Sequence, residues 1–372
     1  MPDQHAFLSA SSSSRWIACP PSAKLNSATG GRTSEYAIQG TCAHALCEFK
    51  LKTALGRRAR DPTEDLDCYD QEMDSCTDGY VTYVMEQVEK AKETCPDPTV
   101  LVEQRLDLSR WIPESFGTAD ALIVGDGTLT IIDMKYGTGI KVEGSSSQLK
   151  CYALGCVDMF DGIYDIQNVR MAIYQPRLEH ISECDMTKEE LLSWAEQVLV
   201  PAAKQAFVGE GSFKAGDHCQ FCSVKANCRK RAEYNLELAR YDFAMPATLE
   251  DAEIEAILPK LDQLTSWASD LKDFALKKAL SGKKWTGYKL VAGRANRKYV
   301  NDAAVAAAVE AAGYDPFEKR LLGITAMTSM LGRKKFDELL SGLVERPQGK
   351  PTLVPLSDKR PELNSAAEDF KE

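Results

Sequence analysis

The segment FGTADALIVGDGTLTIIDMKYGTG, residues 116–139, constrains this chain more than any other. Two runs of apolar and β-branched residues flank a Gly-Asp-Gly turn, a pattern that predicts a two-stranded hairpin. The same runs carry Asp120, Asp133 and Lys135, in the part of the sequence best suited to burial. Buried charge is costly unless it is paired or coordinates a metal. Asp133 and Lys135 are two residues apart, so one strand face carries both side chains. Hairpin pairing sets Asp120, at the end of its strand, beside Asp133. Two adjacent buried carboxylates repel unless a divalent cation neutralises them. A hard cation such as Mg2+ or Mn2+ takes carboxylate and carbonyl oxygens and keeps several waters, one of which can become a nucleophile. Lys135 would orient that water or stabilise charge developing on a phosphate. The bland alternative is an Asp–Lys pair facing solvent at a strand edge, because a bare D-x-K is common.

The surroundings predict an α/β core with a mixed sheet flanked by helices. A Ser-rich start leads into RWIACPPSAKL, where a short helix should end at Pro20 and Pro21. Apolar spacing predicts helices over about 35–55 and 72–93, with a polar loop at 57–71 between them. Strands are expected at 99–108, 117–125, 129–137 and 169–177, with a helix at 146–160. Thr187 and Glu190 form a capping box for a helix running to about Phe207. Beyond a compact cysteine group, helices capped by Thr248 (248–281) and spanning 302–312 and 325–344 make a mostly helical C-terminal part, with a domain boundary near residue 245. The expected domains are thus 1–245 and 246–372.

Two further elements fit the acid–acid–lysine set. Gln148 and Tyr152 are four apart on a helix and share a face. His44 lies on the first long helix, where a structural role is the default reading. In order along the chain, His44, Gly117-Thr118-Ala119-Asp120, Ile132-Asp133-Met134-Lys135 and Gln148-x-x-x-Tyr152 resemble the PD-(D/E)XK nuclease superfamily in its RecB-like branch, over about residues 8–232. That resemblance implies a restriction-endonuclease-like core. It implies that His44, Asp120 and Asp133 bind the metal with the Met134 carbonyl assisting, that Lys135 is the catalytic lysine, and that Gln148 and Tyr152 lie near DNA. Glu103, on the strand before, sits where some relatives carry another acid.

The chain has twelve cysteines and begins without a secretory leader, so a cytoplasmic, reducing setting is expected, with metal ligation or burial rather than disulfides accounting for the thiols. HCQFCSVKANCRKR gives Cys219-x2-Cys222-x5-Cys228, three ligands that need a fourth from elsewhere. Three clustered thiolates and one distant thiolate suit an iron–sulfur cluster, with zinc or no metal as the alternatives. Cys19, between a helix and the Pro-Pro break, is the best fourth ligand; Cys184, His218, Cys42 and Cys47 are the others. Cys68, Cys76, Cys95, Cys151 and Cys156 read as residues without chemistry. The pattern resembles the iron–sulfur RecB-like nucleases, CRISPR-associated and AddB-type, in which one cysteine before the core and three after it hold a [4Fe–4S] cluster.

A net charge of −10 argues against coating nucleic acid by overall charge but leaves room for a local basic groove. Residues 270–299 carry nine Lys/Arg interleaved with Trp285, Tyr288 and Tyr299. That composition suits single-stranded nucleic acid, or equally a solvated helix face followed by a strand. No apolar run approaches the roughly 20 residues that span a bilayer, so no membrane partner is expected. The whole sequence, including GKPTLVPLSDKRP (349–361), resembles a family of phages and prophages, which implies DNA replication or recombination and possible recombination-protein partners. The expected function is a metal-dependent DNA nuclease, an exonuclease on DNA ends or single strands. The rivals are a structure-specific endonuclease, a non-catalytic DNA-binding or recombination accessory protein, and a redox protein.

Overall fold

The structure, a computed structural model, describes residues 6–28, 35–160, 162–237, 250–291, 300–317, 321–340 and 342–344. The expected boundary near residue 245, the cap at Thr248, the basic-segment residues Arg294, Arg297, Lys298 and Tyr299, and the 349–361 tail lie outside the described residues.

The α/β expectation holds. Five strands form one sheet in sequence order: β1 Thr99–Asp107, β2 Phe116–Val124, β3 Gly127–Met134, β4 Ile166–Gln175 and β5 His180–Thr187. Neighbours are antiparallel except β3 and β4, which are parallel. A parallel pair needs a crossover, and helix α5, Ser147–Phe160, supplies it.

Both sheet faces are covered, which is why β2 and β3 read as nearly continuous apolar runs. On one face, helices α3 (Glu35–Ala54) and α4 (Gln71–Lys92) pack Leu46, Leu51 and Val84 against Ala121, Ile123, Ile132 and Met134. On the other, α5 brings Leu149 and Leu154 against Leu122, Val124, Leu129 and Ile131. The N-terminal helices α1 (Ser13–Ala18) and α2 (Ser22–Ser27) flank Pro20 and Pro21, which end one helix and lead into the next. Helix α6 (Lys188–Trp194) starts at the expected Thr187–Glu190 capping box and continues through a π turn, Ala195–Leu199, into α7 (Val200–Val208). Pro201, lacking an N–H, falls just after that turn.

Three expectations need correction. Strand β5 was not anticipated, because its partly or fully buried positions are His180, Ser182, Cys184 and Met186 while Ile181 faces out, so its pattern is not that of an apolar strand. The helix expected over 325–344 is two, α11 (Ile324–Leu331) and α12 (Arg333–Leu340), parted by Gly332 at φ 74°. Cys42 and Cys68 are joined in a disulfide, Cα atoms 6.6 Å apart, tying the loop after α3 back to that helix.

Two compact units are formed, Met1–Lys277 and Lys278–Glu372. In the first, helix α8 (Arg229–Leu236) places Arg231 2.6 Å from Asp270 on α9 (Asp251–Leu280), and Lys225 reaches the same carboxylate at 2.8 Å. Most of α9, up to Lys277, therefore falls in the first unit. In the second unit, α10 (Asp302–Ala311) is capped by Asn301, and α11 and α12 pack together with Phe336 buried.

The loop from β3 to α5 is pinned to the sheet. The Gln175 side chain accepts from Val142 N–H (2.7 Å) and donates to Ile140 O (3.0 Å). Gly144 lies so close to β4 and β5 that a Cβ would meet Ser182 O at 2.7 Å and Met171 O at 2.8 Å, both backbone atoms that cannot step aside. Gly144→Ala should cost about 1–3 kcal/mol, seen as a lower midpoint in urea. An unchanged midpoint would mean that the loop is not held as described.

Candidate functional site

β2 pairs with β1 along its whole length, Phe116–Val124, but with β3 only from Ala121 to Val124. Asp120 therefore does not end its strand; it sits where β3 leaves β2. Continuing the register would pair Asp120 with Asp133, but the ladder stops at Ala121–Ile132. The Asp120 carboxylate fills the gap, its Oδ2 accepting the Met134 N–H at 2.7 Å. Its Oδ1 lies 3.3 Å from His44 Nδ1, reaching over from α3.

On the other side of Asp120, β1 pairs Val102 with Ala121 and Gln104 with Ala119, leaving Glu103 opposite Asp120. Glu103 has φ 51°, the left-handed region that costs a non-glycine residue about 1–3 kcal/mol and concentrates at functional sites. His44, Glu103 and Asp120 each bring one potential ligand atom, all within 4.8 Å of one another.

Asp133 faces a different set of partners. Its Oδ1 accepts from Gln148 Nε2 at 3.0 Å, and its Oδ2 lies 2.8 Å from Lys135 Nζ. The Lys135 ammonium is thus the partner of the buried Oδ2. Lys135 Nζ donates to Gln148 Oε1 at 3.1 Å, and Gln148 Nε2 reaches Tyr152 Oη at 3.2 Å. The Tyr152 ring lies on the backbone at Gly117, where a Cβ would come within 2.6 Å of it. The expected residues His44, Asp120, Asp133, Lys135, Gln148 and Tyr152 are thus brought together. Met134 takes part through its N–H, and its side chain is in the core under α3 and α4. Glu103 joins them more closely than its sequence position promised.

The charges are strained. Burial and Asp120 push the Glu103 carboxyl up to about 8. Asp120 raises His44 to about 9 against the opposing effect of burial. Burial raises the Asp133 carboxyl, with Lys135 opposing. Burial works against the charge on Lys135, but Asp133 more than offsets it, so the ammonium is held above its ordinary range. Asp120 itself, despite burial, stays below the usual carboxylate range because of His44, Lys135 and the Met134 N–H. Crowded carboxylates and one imidazole are donors that suit a hard divalent cation such as Mg2+ or Mn2+.

A second constellation lies near the start and end of the same unit. Cys19, Cys219, Cys222 and Cys228 line one cavity, with His218, Ser22 and Lys225. Cys19 follows α1, Cys219 lies within a 3-10 turn, Asp217–Phe221, Cys222 follows that turn, and Cys228 precedes α8. A fully thiolate donor set suits a soft metal or an iron–sulfur cluster. Of the alternative ligands, His218 lines this cavity and its Nε2 is 3.8 Å from Cys219 Sγ. Cys184 packs beside the α5-side core on β5, Cys47 lies in the core under α3 and α4, and Cys42 is bound to Cys68.

In the second unit, Lys283 Nζ lies 5.6 Å from the Trp285 ring centroid, and Tyr288 is 84% exposed. None of the described helices is long and apolar enough to cross a membrane.

The family described as "Protein of unknown function (DUF2800)" matches residues 5–361, and the chain belongs to it. Among solved structures, one titled "Crystal structure of SSO0001" is 12% identical, with 57% of this chain and 95% of that chain covered at a TM-score of 0.24, too low to carry any argument.

Two outcomes follow from the geometry. Glu103 and His44 both have folded-state pKa values above their ordinary ones, about 8 and about 9. Folding therefore favours their protonated forms, and that stability is lost as pH rises through those values. Protein treated with EDTA should lose thermal stability from about pH 5 to about pH 9, and Mn2+ should restore more of it at pH 9 than at pH 6, because protons compete with the cation. A flat profile with equal Mn2+ effects at both pH values would contradict the crowded-carboxylate geometry. Gly117→Ala should push Tyr152 off Gln148 at a stability cost of about 1–3 kcal/mol. Unchanged tyrosine fluorescence and stability would show that the ring does not rest there.

Proposed function

We propose that this member of the DUF2800 family is a divalent-cation-dependent DNA nuclease of the PD-(D/E)XK, RecB-like type, acting on DNA ends or single strands, with a structural [4Fe–4S] cluster. The observation that carries the reading is Lys135, an ammonium fixed between Asp133 and Gln148 beside the His44–Glu103–Asp120 set. His44 and Lys135 keep 33% and 27% of their side chains exposed, enough for a polymer to reach them.

When bound, the cation would supply charge neutralisation and Lewis-acid activation of water. Asp120 and Glu103, with His44, would hold it, with Asp133 beside them. Lys135 stays protonated at neutral pH, so its role is to stabilise negative charge on the scissile phosphate rather than to remove a proton. Gln148, holding Lys135, Asp133 and Tyr152 at once, fixes the ammonium's position in advance. In the second unit Lys283, Lys284, Trp285, Tyr288 and Lys289 supply cations and ring faces suited to single-stranded DNA. The cysteine cavity would hold the cluster through Cys19, Cys219, Cys222 and Cys228. Because these flank the sheet in sequence, that binding energy would count towards folding. The phage-type resemblance supports a role in DNA replication or recombination.

The test is incubation of the purified protein with end-labelled single- and double-stranded DNA in Mg2+, Mn2+ or EDTA. Cleavage should require the cation, and Lys135→Ala should lower it by about 100-fold or more while DNA binding stays near wild type. Cleavage by Lys135→Ala at the wild-type rate, or none by the wild type with any cation, would remove the nuclease reading.

A further inference from the structure

Lys214 and Lys225 line the cysteine cavity beside the thiols, and a third cation is bonded to Ser22 of its wall. Arg15, on α1, is only 7% exposed, and no carboxylate of the described residues pairs with it. Its Nη1 donates to Ser22 O at 2.9 Å and to Ser22 Oγ at 3.1 Å, both neutral acceptors. Ser22 lines the cavity, and the Cys19 N–H caps the Arg15 carbonyl at 2.9 Å. A buried guanidinium needs a negative partner, or its burial is strongly unfavourable. Burial lowers the affinity of Arg15 for its proton, and the nearby Cys222 and Cys19 act the other way.

Asn26, on α2, adds a directional contact. Its Nδ2 donates to Cys222 Sγ at 3.3 Å and to Ser22 O at 2.7 Å, while its Oδ1 accepts the Ser223 N–H at 2.7 Å. One amide therefore orients the sulfur of Cys222 and the backbone that follows it, across 196 residues of sequence.

Resting on the cluster reading above, we infer that Arg15 and Asn26 set the charge state and reduction potential of the group held by the four cysteines, Arg15 as its counter-charge and Asn26 through an N–H···S bond to Cys222. Hydrogen bonds to the sulfurs and nearby positive charge both favour the more negative, reduced cluster and so raise its potential. Ligand identity alone would not require either residue.

The full-length protein, prepared without oxygen, is analysed for iron and sulfide and titrated with dithionite while the reduced cluster is followed by electron paramagnetic resonance. Asn26→Ala should keep its iron and sulfide and shift the midpoint to a more negative potential, and Asn26→Asp should shift it further. Arg15→Lys should stay near wild type, and Arg15→Gln should shift in the same negative direction. Should Arg15→Gln fail to fold, the two Asn26 variants carry the test. Asn26 variants that melt earlier but titrate at the wild-type potential would reduce the residue to a structural clamp and overturn the inference while leaving the cluster intact. A wild-type protein without iron and sulfide would overturn both.

Discussion

One hydrogen bond organises the centre of this protein: the Asp120 carboxylate accepting the Met134 N–H where the ladder between β2 and β3 gives out. A backbone donor inside a sheet must find an acceptor, and here a side chain takes the place of a strand. That substitution puts a carboxylate among Ala121, Ile132 and Met134, residues that are fully buried. It also lets β3 turn away from β2, so that Asp133 and Lys135 meet α5 rather than the neighbouring strand. His44 and Glu103 then converge on Asp120 from α3 and β1. The left-handed backbone of Glu103 is the local cost of that convergence.

Much of this was legible in the sequence, because period and offset determine it. A two-residue offset at the end of β3 placed Lys135 against Asp133, and an i,i+4 offset in α5 placed Gln148 against Tyr152. Glu103 was harder to read, since its direction depends on a backbone conformation that no residue type at that position announces. Strand β5 escaped because edge strands can bury polar residues, here Ser182, and the hydrophobic alternation that betrays central strands is missing. The Cys42–Cys68 bond depends on how the loop after α3 returns, and neither cysteine lies in a recognisable spacing. The split between α11 and α12 could have been read from Gly332, a residue suited to the left-handed turn found there.

The cysteine cavity shows a different kind of constraint. Cys19 and the 219–228 group are remote in sequence, and spacing alone could only nominate a partner for the three. Their meeting is enforced by packing and polar contacts, with α1 against α7 and Asn26 bonded to Ser223. The buried Arg231, paired with Asp270, which Lys225 also reaches, ties the same cysteine loop to α9. The N-terminal turn, the cysteine loop and the long helix are thus fastened to one place, separate from the carboxylate set between the sheet and α3.

The central claim is that Asp120, Glu103 and His44 form a cation site with Asp133 at its edge. The most direct measurement is the anomalous difference map of crystals soaked in Mn2+, collected above the manganese edge. A single strong peak within bonding distance of an Asp120 oxygen, with Glu103, His44 or Asp133 completing its ligands, is the predicted result. No peak at Asp120 in crystals that bind Mn2+ elsewhere would contradict the account.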